Sequence, residues 1–266
     1  MVRVTSTLRR DVLRAGTGLV AGGALAAGCG TGRTAAPPPA PAPTSPTSPT
    51  PPSVRPSTAP APRAYPGHPA QITHGPRSRP QVALTFHGQG DPALARALLT
   101  TAERHGARLT VLAVGTWLDE HPDLARRVLD GGHDLGNHTQ RHIGINTLAE
   151  ADARREITEC AERLRRLTGS VGTWFRPSRA PAASPLVARL AHAAGYPHVL
   201  SYDVDSLDYT RPGAAAVTRE VLAGVRNGSV VSLHFGYPDT VAALPDVLTE
   251  LGRRGLRAVT TTELLS

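Results

Sequence analysis

From about residue 70 onward, short apolar runs alternate with segments whose apolar residues recur at three- and four-residue spacing. The short runs are typical of buried strands and the longer periodic segments of amphipathic helices. Strands are predicted at residues 82–86, 108–114, 133–135, 173–175, 198–202, 229–233 and 256–259. Helices are predicted at residues 92–104, 122–129, 149–167, 185–194, 214–226 and 240–254. This alternation predicts an α/β fold with a parallel sheet, open or closed into a barrel.

The first 28 residues have the pattern of an export signal. An Arg9-Arg10 pair precedes a Gly/Ala-rich apolar stretch at residues 15–28, which is too short and too weakly apolar for a stable transmembrane helix. The twin arginine resembles a Tat signal. The stretch ends in LAAGC, which resembles a bacterial lipobox. The resemblance implies removal of residues 1–28 and a lipid on Cys29, which would anchor the chain to the extracytoplasmic side of the cell membrane.

Residues 29–69 are predicted to be a disordered linker. More than half of the 25 prolines fall here, mixed with Ser, Thr and Ala. Such a composition cannot bury a core and favours extended polyproline II. The folded domain is therefore predicted at residues 70–266, as a monomer by default.

Charge and cysteine content narrow the function classes. The net charge is +8, but the arginines are scattered over predicted helix faces without an aromatic-interleaved basic cluster, so nucleic-acid binding is not predicted. A basic surface suits an acidic wall polymer or anionic lipid headgroups. Of the two cysteines, Cys29 is assigned to the lipid and Cys160 to the core of a helix, which leaves no disulfide.

Polar side chains follow the predicted strands at their carboxyl ends. They are His87, His138, Arg176, Asp203 with Asp205, and His234. In parallel α/β folds this edge is where loops converge to form a site. His138 and His142 are four residues apart, a spacing that can bring two imidazoles to one side of a turn, and neutral imidazole is a common ligand of divalent metals.

Five segments resemble, in order and spacing, the motifs of polysaccharide deacetylases, the NodB-homology domain of carbohydrate esterase family 4. They are VALTF at 82–86, GNHTQRH at 136–142, FRP at 175–177, DVDSLDY at 203–209 and VSLH at 231–234. The resemblance covers residues 80–262. It implies a distorted (β/α) barrel and metal-assisted removal of N- or O-acetyl groups from a glycan.

The resemblance also implies roles for individual residues. His138 and His142 would hold a divalent metal, with zinc as the first choice, and Arg176 would hold the catalytic base. Asp205 would orient His234, the general acid that protonates the leaving amine. Tyr209 stands where the family usually has tryptophan, and it and Pro177 would contact the glycan.

The first motif departs from the family pattern, which usually reads TFDDGP. This chain has His87 and Gly88 in place of the two aspartates, with Asp91 three residues further on. Three interpretations are open: His87 supplies the base or a third ligand, Asp91 swings in as a third ligand, or the site is impaired. Asp91 also precedes a proline and could simply be the N-cap of the next helix.

The sequence therefore predicts a lipid-anchored hydrolase that deacetylates a cell-wall or extracellular polysaccharide. The alternative is a catalytically impaired, glycan-binding module on the same fold.

Overall fold

The structure is a computed structural model that describes residues 59–266. The predicted signal peptide, the lipidation site Cys29 and most of the predicted linker lie outside these residues. Among residues 59–266, no helix combines the length and apolar character needed to cross a bilayer.

Eight strands and eight α-helices make up the described chain. The strands are β1 (Gln71–Ile72), β2 (Gln81–Gly88), β3 (Thr110–Ala113), β4 (Asp134–Asn137), β5 (Val199–Leu200), β6 (Val204–Asp205), β7 (Val230–His234) and β8 (Arg257–Ala258). The helices are α1 (Pro92–Arg104), α2 (Gly115–Glu120), α3 (Asp123–Asp130), α4 (Glu150–Thr168), α5 (Pro185–Ala193), α6 (Ala214–Gly224), α7 (Pro238–Arg253) and α8 (Thr261–Leu265). Two 3-10 turns, Ile145–Thr147 and Asp208–Thr210, precede α4 and α6.

The strands form a distorted barrel, as predicted. The main sheet has the order β4-β3-β2-β7-β6, with β8 paired to the start of β2, and its ladders are parallel. Isolated parallel bridges join Asn137 to Phe175 and Phe175 to Val199. Because the chain runs from β5 directly into β6, these bridges connect the two edges of the sheet and close the barrel.

The two faces of β2 have different neighbours because successive side chains in a strand point to opposite sides. Val82, Leu84 and Phe86 are buried in the main apolar core, together with residues of α1, α3 and α7. Thr85 and His87 lie on the other face, inside the barrel. The alternation in β2 therefore places His87 at the inner, carboxyl end of the barrel.

Residues before β1 pack against the opposite end of the barrel. Tyr65 stacks on Trp174 with ring centroids 5.3 Å apart, and its backbone N–H donates to His198 Nε2. Ala59 is also buried. The contacts of the domain thus begin before residue 70, inside the segment predicted as linker.

A candidate active site at the carboxyl ends of the strands

A cavity of about 540 Å³ opens where β2, β6 and β7 end. It is lined by His87, Gln89, Gly90, His142, Arg179, Ala180, Pro181, Tyr202, Asp205, Tyr209, Arg211, Ser232, His234, Gly236 and Tyr237. Most of the predicted site residues therefore converge. Those that line the cavity are His87, His142, Asp205, Tyr209 and His234, and Arg176 and His138 lie directly behind it.

His234, the last residue of β7, is fixed by Asp208. Its Nδ1 donates to Asp208 Oδ1 at 2.6 Å and its backbone N–H donates to Oδ2 at 2.8 Å. The Thr240 hydroxyl donates to the same Oδ2 at 2.6 Å, and Asp208 is fully buried. The carboxylate thus holds the proton of His234 on Nδ1 and turns Nε2 towards the cavity.

The residue that orients His234 is therefore Asp208, and the prediction of Asp205 was wrong. Asp205 lines the cavity and accepts from the backbone N–H of Leu207 at 3.1 Å, with the Tyr202 hydroxyl at 3.5 Å. Asp203 accepts hydrogen bonds from the Arg77 guanidinium and from the backbone N–H of Val230. Three aspartates share the motif, and the sequence did not distinguish them. In the structure, only Asp208 lies beyond β6, where the chain turns back towards the end of β7.

His87 connects His234 to Arg176. His87 Nδ1 lies 2.7 Å from His234 Nε2, and His87 Nε2 lies 3.3 Å from Arg176 Nη1. Because His234 donates from Nδ1 to Asp208, its Nε2 accepts here, so His87 donates from Nδ1 and accepts from Arg176 at Nε2. The hydrogen bonds run in one direction, from Arg176 through His87 and His234 to Asp208.

This assignment requires a neutral His87, and its surroundings supply the reason. Burial lowers the pKa of His87 well below 6.5, and the neighbouring His138, His234 and Arg176 lower it further. A neutral imidazole beside a guanidinium is a hydrogen-bond acceptor and not a second cation. With both ring nitrogens engaged, His87 is not free to act as the predicted base.

Arg176 is a buried cation held by oxygen atoms. Its guanidinium donates to Leu200 O at 3.1 Å, Ser201 O at 2.9 Å and Thr85 Oγ1 at 2.8 Å. Burial lowers the pKa of Arg176 to about 9, which leaves it protonated at neutral pH. Within the described residues its partners are carbonyls, a hydroxyl and His87, so it supports the barrel wall beneath the cavity.

His138 and His142 lie side by side, with ring centroids 4.9 Å apart. His138 Nδ1 donates to Arg176 O at 3.1 Å, which leaves the lone pair on Nε2. That Nε2 is buried and has no hydrogen-bond partner in the described chain. A carbonyl behind the ring and an unsatisfied nitrogen in front are features of a metal-ligating histidine. Burial lowers the pKa of His138, and burial with Arg179 lowers that of His142 to about 4, so both rings are neutral, as metal ligation requires.

The ligand set is nevertheless incomplete. Catalytic zinc sites have three protein ligands. Among residues 59–266, no group of three or more His, Cys, Asp or Glu side chains is arranged to hold a metal ion. His87 stacks on His138 at 4.2 Å and 21°, so the lone pairs of these two rings lie in separate, nearly parallel planes. The residues fit a divalent metal only in part, and no catalytic step is assigned to one.

The rest of the first motif supplies no third ligand. Asp91 is exposed and its Oδ1 accepts from Ala93 N at 2.8 Å, which makes it the N-cap of α1 and not the predicted ligand. A Cβ on Gly88 would lie 3.0 Å from Val111 Cγ1 and 3.1 Å from Ala113 Cα, on the core side of β2. A side chain at position 88 would therefore enter the core and not the cavity.

Two residues that sequence reasoning missed fix the His138–His142 loop. Asn137 accepts from Thr139 N and donates to Ile157 O and to the Tyr196 hydroxyl. Glu156, on α4 and almost fully buried, accepts from both the backbone and the side chain of Arg141. Asn137 lies inside the GNHTQRH segment, but its partners are on other elements, and Glu156 is brought to the loop only by the fold, so the sequence did not indicate either role.

Backbone strain is concentrated around the site. Five non-glycine residues in the described chain have positive φ: Thr139, His142, Arg179, Leu207 and Arg211. All five lie in the loops that follow β4, the Phe175 bridge and β6. Left-handed backbone is costly for residues with a Cβ and is retained mainly at functional sites.

Of the two predicted glycan contacts, Tyr209 is exposed at the cavity and Pro177 is buried. Tyr209 is 45% exposed and lies edge-on to His234, with ring centroids 5.6 Å apart. Tyr237 flanks His234 in the same way at 5.7 Å. Pro177 is buried and does not line the cavity, so its predicted contact with substrate was wrong.

Comparison with known proteins agrees with this geometry. Residues 74–199 match the family described as polysaccharide deacetylase. A peptidoglycan-N-acetylglucosamine deacetylase of Bacillus cereus is 30% identical over 194 residues, which covers 71% of this chain and 90% of that protein. A chitooligosaccharide deacetylase of Sinorhizobium fredii is 31% identical, over 66% of this chain and 87% of that protein.

Solved structures show the same fold and include an inactive relative. A family 4 carbohydrate esterase described as a pseudoenzyme from Bacillus anthracis superposes with a TM-score of 0.69 at 25% identity, over 75% of this chain and 70% of that chain. A mutant of that protein is described as having restored enzymatic activity. The sequence matches, the barrel and the strand-end site together show that this chain belongs to the polysaccharide deacetylase family, hydrolases that act on carbon–nitrogen bonds other than peptide bonds.

Proposed function

We propose that this chain removes acetyl groups, chiefly N-acetyl groups, from a cell-wall or extracellular glycan. The observation that carries the proposal is the Asp208–His234 pair, whose imidazole faces a sugar-sized cavity beside His142 and Tyr209. The deacetylase names of the relatives support the same reaction and the same class of substrate.

His234 can perform both proton transfers of such a hydrolysis. Its Nε2 takes a proton from water as the water oxygen bonds to the acetyl carbon, and the resulting imidazolium is stabilised by Asp208. The same proton then passes to the amine nitrogen as the carbon–nitrogen bond breaks, giving acetate and a free amine. Asp208 supplies the orientation and charge that a histidine needs for this dual role.

His87 has to release His234 for this to happen. In the free protein its Nδ1–H occupies His234 Nε2 at 2.7 Å, so water or the substrate must replace that hydrogen bond. Arg176 holds His87 from the other side. This pair takes the position of the family's usual base, and here it positions the acid–base histidine.

A second function is favoured by a specific observation. The first motif lacks both aspartates and Gly88 faces the core, so the chain lacks the usual third ligand. A glycan-binding module without catalysis would keep the cavity and lose the reaction, as the pseudoenzyme name of one structural relative illustrates.

Acetate release separates the two functions. The chain, with and without added zinc, is incubated with N-acetylglucosamine oligomers, and metal content is measured in parallel. A catalytic role predicts acetate release that falls on the order of 10²–10⁴-fold in His234→Ala. Oligomer binding without acetate release, with or without metal, assigns the binding function instead.

We further propose zinc or a similar divalent ion as the ligand of His138 and His142. The unsatisfied His138 Nε2 supports this proposal. Zinc taken up by wild type and lost in both His138→Ala and His142→Ala would agree with it, and no uptake at micromolar excess would refute it. When bound, such an ion polarises an acyl oxygen.

Extracytoplasmic location and a lipid on Cys29 are also proposals, based on the lipobox pattern. Cys29→Ala is expected to release the chain from membranes or to block its processing. A variant that stays membrane-bound at the same processed size would contradict the anchor.

A further inference from the structure

Two arginines lie at the mouth of the cavity on different loops. Arg179 follows the buried Arg176–Ser178 segment, and Arg211 follows the 3-10 turn Asp208–Thr210. Both side chains are exposed. The mechanism proposed above uses neither of them.

Both arginines have left-handed backbone, with φ of 52° at Arg179 and 55° at Arg211. Arginine gains nothing from this conformation, where glycine or asparagine would fit with less strain. Strain of this kind persists where the surrounding structure enforces it, and it is concentrated at ligand sites. The loops therefore direct two guanidinium groups to the cavity at a conformational cost.

Within the described chain, neither guanidinium has an acidic partner. Several other arginines of the described chain do have an acidic partner, for example Arg96 with Asp123 and Arg154 with Glu150. Arg211 instead lies over the ring of Tyr237, 5.8 Å from its centroid. Arg179 lines the cavity together with His142.

One carboxylate, Asp205, lines the cavity. It accepts from the backbone N–H of Leu207. The two exposed guanidinium groups outnumber this one carboxylate among the residues that line the cavity mouth. Arginine's planar group is suited to carboxylates, to which it can donate two parallel hydrogen bonds.

Tyr209 and Tyr237 flank the same opening, on either side of His234. Tyrosine rings provide apolar area for a sugar ring while their hydroxyls stay in water. We infer that Arg179 and Arg211 select a glycan that carries carboxylates, such as a chain with lactyl ethers or uronic acids, over an uncharged one. The inference rests on the proposed function, since it specifies the substrate class of that same site.

Binding to a matched pair of ligands tests the inference without requiring catalysis. Calorimetry on the full chain compares an N-acetylglucosamine tetramer with the same tetramer carrying carboxymethyl ethers. Two exposed ion pairs predict roughly fivefold tighter binding of the carboxylated ligand at low salt, and added salt is expected to remove the preference.

Arg179→Gln and Arg211→Gln are each expected to reduce the preference, measured as the ratio of the two affinities. Arg189→Gln, at an exposed arginine of α5 outside the cavity, is the control. Equal affinity for both tetramers in wild type, no binding of either, or an equal loss in the control would overturn the inference. Acetate release from the uncharged tetramer is measured separately. That measurement tests the proposed deacetylation, and the comparison of affinities tests the inference about the two arginines.

Discussion

At the residue scale, the chemistry of the site depends on the hydrogen bond between His234 and Asp208. The order of the motifs in the sequence did not reveal this contact. Asp205 and Asp208 belong to one short motif, yet only Asp208 reaches the imidazole of His234. The position of a carboxylate relative to a neighbouring strand depends on where the chain turns, and Leu207 makes that turn with a left-handed backbone. No spacing rule in the sequence specifies such a conformation for leucine.

Replacing each aspartate in turn distinguishes these roles. Asp208→Asn is expected to reduce acetate release on the order of 10²–10⁴-fold, because the imidazolium loses its counter-charge. Asp205→Asn is expected to cost far less. Imidazole ¹⁵N shifts provide a check that is independent of turnover: the Nδ1–H tautomer of His234 should persist in Asp205→Asn and be depleted in Asp208→Asn. Equal effects of the two changes would refute the assignment.

At the scale of elements, the sequence predicted those with a long pattern or a clear cap. Both ends of α1 were predicted correctly, because Asp91 and Pro92 mark its start and apolar periodicity marks its length. The predicted strand 173–175 is reduced to one residue, Phe175, which bridges to Asn137 and to Val199, and α2 and β6 were not predicted. Elements of two to six residues are too short to show a period, and tertiary contacts determine whether they form.

The cap of α1 gives a prediction at this scale. Asp91→Ala is expected to lower the free energy of unfolding by about 1 kcal/mol, since the hydrogen bond to Ala93 N is lost, and Asp91→Asn by only a few tenths. Denaturant unfolding measures both, with metal content as a second readout. A loss of bound metal in Asp91→Asn would show that the carboxylate is a ligand after all.

At the scale of the whole molecule, the cluster of buried imidazoles makes stability depend on pH. Burial lowers the pKa of His87 and His138 well below 6.5 and that of His142 to about 4. The unfolded chain takes up protons near pH 6.5, and the folded chain does not. The stability contributed by these neutral rings is therefore present above that pH and is lost as the pH falls towards 4.

We expect the free energy of unfolding to fall on acidification by up to about 1.4 kcal/mol per pH unit for each histidine. Urea denaturation at several pH values, with a chelator present, measures the slope. His87→Gln and His142→Gln should each make it shallower, and His192→Gln, at an exposed position of α5, should not. An unchanged slope in both buried variants would refute this account.

The parallel α/β sheet and the strand-end location of the site could be predicted from the hydrophobic pattern. The barrel and the roles of its histidines were predicted from the resemblance of the motifs to a known family. The partners of those histidines could not be predicted. The proton order from Arg176 to Asp208 depends on distances of 2.6 to 3.3 Å between four chain segments. Such distances are set by the closure of the whole barrel, which no local pattern encodes.

The described chain enters the barrel at the end away from the cavity. Residues 59–69 lie against the starts of the strands, through Tyr65, Trp174 and His198, and the cavity opens where the strands end. Residue 59 therefore lies at the end of the barrel away from the cavity. A tag or solid support coupled ahead of this residue is expected to leave the mouth of the cavity accessible to a glycan.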